Sequence, residues 1–226
     1  KQAQDYFLLI GPPGTGKTSQ ALQFLVREQL ATPPASQSST PKSQSSILLL
    51  AYTNRAVDEI CGMLTANHLD YVRIGNEFSC DPKYSDHLLS SLLGENPSLA
   101  SIREKISSAQ IIVATTSTMN SRSALFNIKH FDLAIIDEAS QILEPNIVGI
   151  LSAGHGEGRS IERFILVGDH KQLPAVVQQG DIETAIDSPL LKDIHLLSCA
   201  NSLFERLILT ERAAERTDFI GTLHKQ

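Results

Sequence analysis

The chain has 226 residues, a formal net charge of −6, 42% hydrophobic residues and 19% charged ones, enough for one large domain or two small ones with a real core. The acidic balance excludes a global basic field of the kind that coats nucleic acid, though not a protein that holds a strand through backbone amides and a few local cations. There is no apolar run of membrane-span length and no signal peptide pattern, and Cys61, Cys80 and Cys199 are odd in number and far apart, so no membrane and a reducing, intracellular setting, cytoplasmic or nuclear, are expected.

In chain order, residues 6–10 (YFLLI) read as a strand, Lys17 to Leu30 as a helix, and residues 47–51 (ILLLA) as a second strand. The stretch from about Arg55 to Asn67 places Val57, Ile60, Cys61 and Leu64 on one helical face. Residues 71–74 read as a short strand, and residues 111–114, 133–136 and 163–167 as three more. Ser202 to Leu209 closes the pattern as a short amphipathic helix. The strands are continuous apolar runs rather than alternating ones. That pattern predicts burial on both faces, hence an α/β fold with a mostly parallel sheet between helices.

Two segments break the rhythm. Residues 31–46, ATPPASQSSTPKSQSS, cannot bury enough apolar surface to order themselves and predict a flexible surface loop. Residues 76–108 carry helical spacing at Leu88, Leu89, Leu92 and Leu93, and again at Leu99, Ile102 and Ile106. They predict a small helical insertion on the sheet domain.

The chemistry begins at GPPGTGKT, which fits the spacing G-x-x-x-x-G-K-[ST] and stands between a predicted strand and a predicted helix. Gly11, Pro12, Pro13, Gly14, Thr15 and Gly16 would turn successive amides toward phosphate oxygens. The helix that follows adds its positive dipole end. Lys17 can reach the β- and γ-phosphates, and the Thr18 hydroxyl can bind Mg²⁺. This predicts a nucleoside triphosphate site, without separating a kinase from a motor. At the end of the strand 133–136 stand Asp137 and Glu138. Asp137 suits a second Mg²⁺ contact, and Glu138 could orient and deprotonate a water, which favours hydrolysis over transfer to a hydroxyl. The plainer reading is two acids that end a strand and help start a helix.

Residues 164–177, FILVGDHKQLPAVV, place a polar cluster at the end of another interior strand. If that strand lies between the phosphate-loop strand and the Asp137 strand, its carboxyl end faces the terminal phosphate. Gln172 would then contact that phosphate or the attacking water, with Asp169, His170 and Lys171 linking it to neighbouring segments. A satisfied surface turn is the simpler reading of those three.

The segments GPPGTGKT, AYTNRAVDEI, ATTST, IIDEASQ, VGDHKQLPAVV and SLFERL occur in one order. Together the sequence resembles superfamily 1 helicases over nearly its whole length, in the branch of the replication nuclease-helicases and the nonsense-mediated decay helicases. The resemblance implies a RecA-like domain, ATP and Mg²⁺ as cofactors, ATP hydrolysis and 5′-to-3′ movement along a single strand. By the matched motifs, Lys17 and Thr18 hold phosphate and Mg²⁺, Asp137 holds Mg²⁺, Glu138 activates water and Gln172 is the sensor. Thr53, Asn54 and Arg55, with Thr115, Thr116 and Ser117, match the segments that touch the nucleic-acid backbone. Such groups carry no base information, and each could equally cap a helix. Single-stranded DNA is the expected partner, with RNA as the alternative.

The resemblance implies that the family's adenine-recognising glutamine would lie before residue 1, Gln2 and Gln4 being too close to the phosphate loop, and that its second RecA-like domain, with the arginines that complete the ATP site, would lie beyond Gln226. Residues 1–226 are therefore expected to be the first motor domain of a longer helicase, slow at hydrolysis by itself. A P-loop phosphotransferase and a nucleotide-gated scaffold are the rival classes.

Overall fold

Side chains along the apolar strands alternate between two cores, and that alternation builds the molecule. The computed structural model describes residues 5–12, 14–32, 45–156, 158–169 and 175–223. The strands are β1 Tyr6–Ile10, β2 Ile47–Ala51, β3 Val72–Ile74, β4 Ile111–Thr115, β5 Leu133–Ile136, β6 Gly154–His155, β7 Gly158–Arg159, β8 Phe164–Gly168 and β9 Ile220–Thr222. The helices are α1 Gln23–Ala31, α2 Asn54–Ala66, α3 Leu89–Leu93, α4 Leu99–Ser108, α5 Thr116–Ser121, α6 Pro145–Leu151, α7 Asp181–Thr184, α8 Pro189–Asp193 and α9 Leu203–Ala213.

Seven strands form one sheet in the order β3-β4-β2-β5-β8-β1-β9, parallel at every pairing. Strands β6 and β7 form a separate antiparallel hairpin. Leu49, Val113, Ile135 and Val167 face a core shared with Val26 of α1 and with Val57, Ile60 and Leu64 of α2. Their neighbours Leu50, Ala114, Ile136 and Leu166 face the opposite core, with Met119 of α5, Ile147 of α6 and Phe204 of α9. Each of these Leu and Ile side chains is withdrawn from water almost completely, worth about 1.5–3 kcal/mol apiece. The continuous apolar runs are thus explained: both faces of every central strand are covered.

The expected placement of the 163–167 strand holds. β8 pairs with β1 on one side and with β5 on the other, so the carboxyl ends of β1, β8 and β5 stand side by side. The other half of that rim belongs to β2, β4 and β3.

Some boundaries differ from expectation. The helix read as Lys17 to Leu30 begins instead as a π-helical turn, Lys17–Leu22, before α1. Within the predicted loop 31–46, Ala31 ends α1 and Ser45 and Ser46 are buried. The Ser46 amide and hydroxyl both donate to Asp132, at 2.7 and 3.0 Å, which fixes the start of β2 beside β5. The rest of that predicted loop, residues 33–44, lies outside the described residues. The segment 76–108 is helical, with short 3₁₀ turns at Glu77–Ser79 and Pro82–His87 ahead of α3 and α4. Its apolar spacing is used in part: Leu88 and Ile106 are buried, whereas Leu99 is 86% exposed.

Two charge pairs tie this architecture together. Arg73 on β3 is buried and bonded to Asp58 of α2. Arg206 on α9 makes a bidentate pair with Glu144, both bonds 2.7 Å.

Candidate nucleotide site and adjacent cleft

At the carboxyl end of β1 the chain must reverse tightly before a helix can start. Gly16 takes φ 71°, ψ 30°, a left-handed conformation that favours glycine. The amides of Gln20 and Ala21 both donate to its carbonyl, at 2.9 and 3.0 Å, and the second of these bonds spans five residues and widens the first turn. The leading amides of a helix lack partners within it, and here they follow Gly16. Lys17 folds back so that its Nζ donates to the Gly11 carbonyl. The Gly11 amide donates to the Gly168 carbonyl at 2.9 Å, which fastens the phosphate loop to the tip of β8. Pro13 lies outside the described residues; Pro12, Gly14, Thr15 and Thr18 lie on the loop and the helix start.

β5 brings the carboxylates to the same place. Thr18 Oγ1 donates to Asp137 Oδ2 at 2.6 Å. Asp137 is 3% exposed, and its other oxygen accepts from the Glu138 amide at 2.9 Å. Glu138 adopts φ 53°, uncommon for a residue with a side chain. That turn ends the strand and starts the short 3₁₀ segment Ala139–Gln141. Its carboxylate is half-buried, and Oε2 has no hydrogen-bond partner among the described residues. Burial raises the Glu138 carboxyl above the ordinary carboxylate range, and the negative charge of Asp137 adds to the rise. Burial also raises Asp137, against the lowering effect of the Thr18 bond. Two crowded carboxylates, one of them with an orphaned oxygen, are a good fit for a divalent cation and a polarised water.

Gly168 shows how closely these pieces meet: a Cβ there would stand 3.0 Å from the Ser140 amide nitrogen and 3.1 Å from the Phe204 ring. Residues 170–174, including His170, Lys171 and Gln172, lie outside the described residues.

The other half of the rim forms a cleft of about 460 Å³. Tyr52, Thr53 and Asn54 line it from the end of β2, and Thr115, Ser117, Thr118, Ser121 and Arg122 from the end of β4 and helix α5. Gly75, Asn76 and Ser79 close it from the end of β3. Thr53, Asn54, Thr115 and Ser117 are thereby brought together. Arg55 and Thr116 are not. Arg55 projects from α2 with its side chain 90% exposed and pairs with Glu59 at 3.5 Å. Thr116 is 2% exposed and packs inward. The capping reading holds as well: Thr53 Oγ1 accepts from the Ala56 amide, and Thr115 Oγ1 from the Thr118 amide, both at 3.1 Å.

Residues 1–105 and 97–179 match the family described as AAA domain. The chain belongs to that family. Relatives of this AAA domain include the DNA replication ATP-dependent helicase/nuclease JHS1 of Arabidopsis thaliana, 35% identical over 79% of this chain. The DNA replication ATP-dependent helicase/nuclease DNA2 of Homo sapiens is 33% identical over 91% of the chain, and that of Schizosaccharomyces pombe 34% over 87%. The chain spans between 12% and 16% of the length of these relatives. Family and relatives bear out the superfamily 1 helicase resemblance for a first motor domain. Among solved structures, the Arterivirus nonstructural protein 10 helicase with DNA aligns with TM-score 0.43 at 20% identity, over 77% of this chain and 30% of that one, a likeness too loose to carry weight.

Sequence reasoning missed Arg122, Asn76 and Ser79 in the wall of the cleft. They stand just past the ends of β4 and β3, and the available signal was the rule that ligands gather beyond strand carboxyl ends.

Proposed function

We propose that this AAA domain is the first motor domain of an ATP-dependent helicase that moves along single-stranded nucleic acid, DNA in preference to RNA. The observation that carries the reading is the meeting of Thr18, Asp137 and Glu138 beside the loop that begins at Gly11, with Thr18 and Asp137 2.6 Å apart. Thr18 and Asp137 would hold Mg²⁺, which when bound neutralises charge on phosphate oxygens. Lys17 would leave the Gly11 carbonyl for a phosphate oxygen of ATP. Glu138 would accept a proton from the attacking water through Oε2, which is unpartnered among the described residues. Gln172 would report whether the terminal phosphate is still present. The cleft beyond β2, β4 and β3 would hold the strand by its backbone, as suits a motor that steps over any sequence. The names of the relatives, DNA replication helicase/nucleases, favour DNA.

The test is ATP hydrolysis by the purified protein, without nucleic acid and with single-stranded DNA or RNA. Stimulation by a single strand, greater with DNA, is expected. A rate indifferent to both polymers, or phosphate delivered to an acceptor other than water, would overturn the proposal.

A further inference from the structure

We infer that Arg122 is the phosphate-neutralising cation of the cleft, and that Asn76 and Ser79 form the wall that faces it. The inference rests on the cleft being the strand site. Arg122 is the one charged side chain among the described lining residues; the rest offer hydroxyls, amides, a glycine and the Tyr52 ring. It is exposed and makes no ion pair with a carboxylate of the described residues. Among the described residues near the cleft, Arg55 pairs with Glu59 and Arg73 with Asp58. A free guanidinium in a concavity without acids suits a phosphodiester, which accepts two parallel N–H bonds from it.

The wall from the end of β3 is held by buried groups. Buried Arg73 donates to the Ser79 carbonyl at 3.4 Å as well as to Asp58. The Ser79 hydroxyl donates to the Asn76 carbonyl at 3.1 Å, and Asn76 Oδ1 accepts from the Phe78 amide at 3.0 Å. The start of the helical segment is therefore tied down, and Asn76 and Ser79 line the same cleft as Arg122. A backbone lying in the cleft is gripped from both sides, charged on one and neutral on the other.

The experiment measures binding of a fluorescently labelled oligodeoxythymidine to the whole protein across a salt series. Replacing one phosphate-bound cation removes one counterion from the release, so Arg122→Gln should shrink the slope of log affinity against log salt by about 0.7. Arg122→Lys should retain the wild-type slope, and Asn76→Ala should weaken binding with the slope unchanged. Oligodeoxyadenosine should lose as much affinity as oligodeoxythymidine, since a phosphate contact is blind to the base. ATP affinity, unchanged throughout, reports an intact fold. A wild-type slope for Arg122→Gln would overturn the inference while the proposed function stands. A wild-type protein that holds no strand even at low salt would remove both.

Discussion

The Thr18 hydroxyl donates to Asp137 Oδ2 across 2.6 Å, joining the helix that follows the phosphate loop to the end of β5. Those residues are 119 positions apart in sequence, and the bond exists because β8 brings β1 and β5 to the same rim. Thr18→Val should lower Mg²⁺ affinity and hydrolysis by about 10–100-fold, the usual effect of removing a partner from a metal-binding carboxylate. Thr18→Ser should restore most of it. Metal titration of hydrolysis decides, and an unchanged metal dependence in the Val variant would remove Thr18 from the site.

Glu138→Gln should leave nucleotide binding intact and reduce hydrolysis by about 10²–10⁴-fold, the range for loss of a general base. Equal loss of binding and turnover would mark Glu138 as a structural residue of the turn.

The raised carboxyls set a pH dependence in the metal-free protein. A group whose folded pKa lies above its unfolded value supports the fold while protonated and loses that support as pH rises through the folded value. Asp137 and Glu138 are both of this kind. As pH rises above the ordinary carboxylate range, wild type should therefore lose melting temperature relative to Asp137→Asn in the presence of a chelator. Mg²⁺ should narrow the gap at neutral pH, because a cation that binds the folded state stabilises it. Parallel curves for the two proteins would refute the assignment.

Arg206 sits inside the SLFERL segment, and the structure gives it a scaffolding task. It pairs bidentately with Glu144, and the two side chains are 13% and 9% exposed. Arg206→Ala should cost about 3–5 kcal/mol, since it strands a buried carboxylate. Arg206→Met combined with Glu144→Leu should recover much of the loss. Denaturant unfolding of the single and double variants measures the coupling.

Gly168→Ala tests the contact between motifs. The added methyl must displace the Ser140 backbone or the Phe204 ring, at about 1–3 kcal/mol for overpacking. Hydrolysis should fall with stability, because the same Gly168 carbonyl anchors Gly11.

The sheet was legible because residues buried on both faces leave continuous apolar runs: β2, β4, β5 and β8 follow directly from ILLLA, IIVA, LAII and FILV. The phosphate loop and the Asp137-Glu138 pair were legible because their chemistry fixes residue types at fixed spacings. β9 was not, because Ile220, Gly221 and Thr222 pair with β1 alone, in a run too short for periodicity. Arg55 and Arg122 show the limit most clearly. Both follow a strand by a few residues, and whether each lines the cleft depends on where its helix turns, which a local motif does not encode.

The backbone amide of Asp137 donates to the carbonyl of Leu50 at 2.8 Å, and Leu50 precedes the cleft residues by a single alanine. The central ladder thus makes one stiff floor under the phosphates and under the strand. Nucleotide turnover cannot widen the gap between those two sites without tearing buried sheet. Any displacement that turnover produces must therefore carry this floor as a unit.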